Sequence, residues 1–155
     1  MASLDLLVQA LDHALWEMGE GFKGLPDADV WKRPHPRLLS VGELAAHVAY
    51  GEAQAILGGF ESPLIVKNAE YYPHTLAVPL DLPLGADAVY AEVQRVHDAC
   101  KAALVAEPHD SEDRNPQREG WTWGYVLEYM AFHVAYHTGQ IYSVRHLLGH
   151  ETVDN

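Results

Sequence analysis

The sequence predicts an all-α fold, a four-helix bundle with a long connection between helices two and three. Three observations predict it: four segments with apolar residues at helical spacing, serine, threonine and glycine at the helix ends, and no paired alternating segments that would build a sheet. The chain of 155 residues is 48% hydrophobic and 21% charged, which suits one core, so residues 1–155 are expected to form a single domain.

The first helix is expected from Ser3 as N-cap, with Leu4, Leu7, Val8, Leu11, Leu15 and Met18 on one stripe and Gly19, Gly21, Gly24 and Pro26 closing it. Ser40-Val41-Gly42-Glu43 fits a capping box that opens the second, which continues through Leu44, Val48, Ala55 and Ile56 to Gly58-Gly59. The run from Phe60 to Leu84 holds four prolines and must cross or cap the bundle. Its apolar pieces Leu64-Ile65-Val66 and Leu76-Ala77-Val78 have no convincing partners, so no sheet is expected. The third helix begins near Gly85, carries Val89, Val93, Val96, Cys100 and Leu104, and stops at Glu107-Pro108. The polar stretch from His109 to Gly120 reads as a solvated connection. The fourth and longest helix starts at Thr122 and runs through Trp123, Val126, Leu127, Met130, Val134, Ile141, Val144 and Leu148 to Gly149.

The formal charge of −12 repels phosphate backbones and anionic lipid surfaces, so neither nucleic acid nor membrane is an expected partner. Val41 to Phe60 is the most apolar stretch, but Glu43, His47, Glu52 and Gln54 interrupt it. No Lys or Arg precedes Lys23, so the basic start of a secretory signal is missing and a cytoplasmic location is expected. A single cysteine excludes an intramolecular disulfide and thiolate-rich zinc motifs, leaving nitrogen and oxygen as the ligands for any metal.

Ten histidines are the one compositional oddity. His133 and His137, four apart, project from one face of the fourth helix, although roughly half such a pair is expected by chance in a chain this rich in histidine. Their environment sets them apart: they lie on or beside the apolar stripe, where an imidazole needs a metal or a dedicated polar network. His146 and His150 straddle the expected helix end and read as accidental. His47, at the edge of the second helix's stripe and four residues before Gly51, is the third candidate. The residues leave two readings open, a three-histidine metal site or hydrogen-bonded core histidines. His13, His35, His74, His97 and His109 are expected to face solvent or loops, His97 least securely because Val93 and Cys100 flank it. Gln140 would lie beside His137, either as an exposed residue or as a contact supporting the site.

The segments Leu44-Ala45-Ala46-His47-Val48 and His133-Val134-Ala135-Tyr136-His137-Thr138-Gly139-Gln140-Ile141, with the Trp31-Lys32-Arg33-Pro34 approach to the second helix, resemble the DinB/YfiT-like family of metalloenzymes. The resemblance covers nearly the whole chain. It implies a four-helix bundle, often dimeric, that binds a divalent metal ion, usually nickel or zinc, through residues matching His47, His133 and His137. Mycothiol-dependent relatives carry glutamate where this chain has His133.

Three neutral ligands would leave open positions on the ion, the arrangement of a catalytic site. The expected function is therefore that of a metal-dependent hydrolase or low-molecular-weight-thiol transferase acting on a small molecule in stress response or detoxification. A bracing or sensing metal is the alternative. Glu52, Tyr136 and Gln140 are the nearby candidates for a supporting base. An exogenous thiol would supply any reactive sulfur, because Cys100 reads as a small buried hydrophobe. Trp16, Trp121 and Tyr129 are expected to anchor a homodimer.

Overall fold

A computed structural model describes residues 4–66 and 78–152. Four helices, α1 (Asp5–Glu20), α2 (Val41–Glu52), α3 (Ala86–Ala106) and α4 (Trp123–Leu147), pack as a bundle without a strand among the described residues. Helix α1 lies mainly against α4; α2 packs on both α3 and α4, and α3 closes back lightly on α1. The apolar stripes meet in one core, with Leu11, Leu15 and Met18 from α1, Leu44 and Val48 from α2, Val89, Val93 and Val96 from α3, and Met130, Val134 and Ile141 from α4 all buried. No helix among the described residues is long and apolar enough to cross a membrane.

The helix ends follow from local chemistry. Ser40 Oγ accepts from the Glu43 backbone N–H at 3.2 Å while the Glu43 carboxylate accepts from the Ser40 N–H at 2.7 Å, the expected capping box. Thr122 caps α4 by accepting from the Tyr125 N–H at 3.2 Å. At the other end Gly149 takes the left-handed conformation (φ +88°), so that its N–H reaches the His146 carbonyl and the His150 N–H reaches that of Arg145, a Schellman closure. Ser3, the expected cap of α1, lies outside the described residues, as do His74 and the Leu76-Ala77 piece; Leu4 stands at the N-cap position and its side chain makes no capping bond.

Two local expectations need correction. The second helix does not run regularly to Gly58: after Glu52 it widens into a π-helical turn, Ala53–Leu57, that ends at Gly58. The stretch from His109 to Gly120 is also more than a solvated connection. Asn115 is buried and donates through Nδ2 to the Ala55 carbonyl at 3.0 Å, within the π turn. An isolated bridge joins Arg114 to Thr122, and the Trp123 N–H donates to the Asp113 carbonyl.

Glu43 does more than cap. It is fully buried, receives Arg33 Nε at 2.8 Å, and accepts the Leu80 N–H at 2.9 Å from the returning connection. Burial works against its charge, but Arg33, Ser40 and Leu80 together hold its carboxyl below the usual range. Removing one partner of so buried an ion pair typically costs about 3–5 kcal/mol, because the remaining charge is stranded. Glu43 thus fixes the start of α2 and, through it, the direction in which His47 points.

Candidate metal centre

Helices α2 and α4 are in contact, and the contact brings His47 to the two histidines of α4. His133 Nε2 lies 2.9 Å from His47 Nε2 and 3.1 Å from His137 Nε2. The ring planes are steeply inclined, at 54° between His47 and His133, 75° between His47 and His137, and 81° between His133 and His137. The rings therefore converge by their edges, with nitrogens facing a common point. Nitrogens bound tetrahedrally at 2.0–2.1 Å from one ion would stand about 3.3 Å apart, within a few tenths of an ångström of what is seen.

The donor set fits a cation better than a hydrogen-bonded network. A ring nitrogen carries either one proton or one lone pair, so His133 Nε2 can share a proton with His47 or with His137 but not with both. The contact left has no proton directed along it, and sets lone pair against lone pair when His133 Nε2 is the acceptor. A divalent ion accepts all three lone pairs at once. The group contains no carboxylate or thiolate.

His137 is prepared for this role by its other nitrogen, which donates to Gln140 Oε1 at 2.6 Å and so frees Nε2 as a lone pair. His133 is buried, and its Nδ1 finds no hydrogen-bond partner among the described residues. It packs against α2 because residue 51 is glycine: a Cβ there would stand 3.2 Å from His133 Cε1. Burial, followed by the neighbouring His137, His47 and Arg118, pushes the His133 imidazole down to about 3. Burial also lowers His137, against the hydrogen bond that it donates to Gln140. Both rings are therefore neutral near pH 7, the protonation state a ligand requires.

Around the outward side stand Tyr129, whose ring is stacked 5.7 Å from His133, and Tyr136, edge-on 5.1 Å from His137. Phe132 lies between them along the helix and is 62% exposed. Gln140 Nε2 reaches the Tyr136 hydroxyl at 3.4 Å, which ties the support of His137 to this rim.

The other candidates fall elsewhere. Glu52 is not part of the group, because its carboxylate is engaged by His97 at 2.6 Å. His97, expected to face solvent, is instead buried between Glu52 and Asp12, two acidic residues from different helices that sequence spacing does not connect to it. His109 is half-buried and stacked on Trp123 at 4.3 Å rather than free in a loop. His13 and His35 are exposed, as expected. His146 and His150 point to separate partners, Thr152 and Asp29, and do not converge. Cys100 is buried and its thiol is pushed up by burial and then by Glu52, which makes it an inert core residue.

A family model for the DinB superfamily matches residues 10–141, a span that includes His47, His133, His137 and all of the bundle but the first turn of α1 and the end of α4. No curated protein and no solved structure gives a significant match. With the matched span covering most of its length, the chain belongs to the DinB superfamily.

Proposed function

We propose that the chain is a metal-dependent enzyme that holds one divalent cation, zinc or nickel, through the Nε2 atoms of His47, His133 and His137 and acts on a small molecule. The observation that supports this most directly is the convergence of three imidazole edges with no anionic ligand in the group among the described residues. Three neutral donors leave the ion its full charge, and the chemistry it supplies is that of a Lewis acid that polarises an electrophile or acidifies water or a thiol. The protein's own part is to hold the His133 and His137 imidazoles neutral by burial, to fix the His137 tautomer through Gln140, and to set Tyr129 and Tyr136 against the histidines with Phe132 between them. Those rings suit a small substrate with apolar or planar surface.

The reaction class is hydrolysis or transfer of a low-molecular-weight thiol, in a stress or detoxification role. In the second case the sulfur is exogenous, since Cys100 is sealed in the core. A cytoplasmic setting belongs to the same reading, together with one bundle domain over residues 1–155 and partners limited to small molecules and a second copy of the chain. A homodimer is supported by Trp16, which is 62% exposed, and by the aromatic face of α4 that includes Tyr129; Trp121 is largely occupied by Tyr125 and Tyr129.

The test is a panel of small electrophiles assayed with the zinc- or nickel-loaded protein, with and without bacillithiol, mycothiol or glutathione. Turnover that needs a thiol identifies the transferase, and turnover without one, rising with pH, identifies the hydrolase. Either activity should survive Cys100→Ala and vanish in His137→Ala. Absence of turnover with the metal fully loaded would replace this reading with a metal that braces α2 against α4.

A further inference from the structure

His97 lies on α3, is 6% exposed, and meets a carboxylate at each ring nitrogen: Nδ1 faces Glu52 Oε1 of α2 at 2.6 Å and Nε2 faces Asp12 Oδ1 of α1 at 2.7 Å. Ionised carboxylates only accept hydrogen bonds, so this geometry calls for a proton on both nitrogens and hence for the imidazolium. Lys101, one turn along α3, donates to both Asp12 oxygens at 2.8 and 2.9 Å. Two anions and two cations then cancel. With His97 neutral, the cluster would keep an uncompensated negative charge, and a lone pair would face a carboxylate within 3 Å.

We propose that His97 is a charged clip that fastens α1, α2 and α3 together while both its nitrogens are protonated, and that it can hold only one of its two carboxylates, Glu52 of α2 or Asp12 of α1, once it loses a proton in alkaline solution. Glu52 is fully buried and its second oxygen, Oε2, has no hydrogen-bond partner among the described residues, where its side chain is held by His97. It is also the last residue before the π turn, where the regular hydrogen-bond ladder of α2 changes register. Its neighbour Gly51 packs on His133, so the clip holds the segment of α2 that faces the three-histidine cluster.

The charges around the ring agree. Burial works against the imidazolium, but Glu52 and then Asp12 outweigh it and raise His97 above its ordinary value. Asp12 is held low by Lys101 and His97 despite the opposing effect of burial. Cys100, the remaining ionisable neighbour in this region of α3, stays a neutral thiol, and Asp98 is exposed. A raised folded-state value means that the clip's stabilisation is complete below about pH 6.5, the unfolded value, and is lost as pH rises through the folded one.

The experiment is histidine-selective ¹⁵N NMR on the full chain, combined with denaturant unfolding of the wild type and His97→Gln from pH 6 to pH 9. Both ring nitrogens of His97 should be protonated at pH 7. In Glu52→Gln the His97 titration should move to lower pH. The wild type's unfolding constant should rise relative to that of His97→Gln by up to tenfold per pH unit between the unfolded and folded values. A bare nitrogen on His97 at pH 7, an unmoved titration in Glu52→Gln, or parallel stability profiles would overturn the proposal. Should His97→Gln fail to fold, the wild-type spectrum decides alone.

Discussion

The side of α2 that meets α4 sets His47 against His133 and His137, three imidazoles with no carboxylate among them; the side that meets α3 presents Glu52 to His97, one imidazole between two carboxylates. Burial disfavours the charged ring in both places, and the partners decide the outcome. Histidines facing histidines leave His133 at about 3, while Glu52 and Asp12 carry His97 the other way. One residue type thus offers lone pairs on one side of a helix and protons on the other. The first arrangement suits a cation, and the second suits a cross-link between helices.

The largest effect that should separate the two regions is loss of metal from the first alone. His133→Ala removes the central nitrogen, and zinc or nickel affinity should fall by more than the roughly 10–100-fold typical of losing an outer partner. His97→Gln should leave affinity near neutral pH within a few-fold, because it touches no ligand. Equilibrium dialysis of both variants checks the contrast, and equal losses would erase the distinction.

The next effect is opposite pH dependence in the metal-free protein. Below about pH 6.5 the unfolded chain takes up protons that His133 and His137 refuse in the fold, so stability should fall on acidification by up to about 1.4 kcal/mol per pH unit for each group. The limb above pH 6.5 belongs to His97 and has the opposite slope. Denaturant melts should show His133→Gln flattening the acid limb while leaving the alkaline one.

These contrasts also mark what the sequence could and could not reveal. His133 and His137 were legible because their spacing and the apolar stripe are both local, and His47 because it stands at the edge of a stripe on a capped helix. Ser40, Thr122 and Gly149 mark helix ends by chemistry within a few residues. His97 was misread because Asp12 and Glu52 lie 85 and 45 positions away, and only packing brings them together. The π turn escaped notice for the same reason: the Ala55 carbonyl is satisfied by Asn115, 60 positions along the chain. Arg33 looked like part of an approach segment, and its pairing with buried Glu43 appears only in the fold.

A smaller effect sharpens the metal side. Gln140→Leu leaves all three ligands in place but removes the acceptor that fixes His137, and should weaken metal binding about 10–100-fold without changing the stoichiometry. Smaller still is Gly51→Ala. The added Cβ gains up to about 1 kcal/mol of helix preference yet presses on His133 Cε1 at 3.2 Å. Zinc affinity should drop less than tenfold, while the metal-free melting temperature stays level or rises.

The most direct test of the central claim is calorimetric titration of the metal-free protein with zinc or nickel at pH 7, beside the His47→Ala/His133→Ala/His137→Ala variant. The geometry predicts one ion per chain in the wild type and none in the variant, with little proton release because His133 and His137 are already neutral. Absence of binding to the wild type, or a stoichiometric site that survives in the triple variant, would contradict the account.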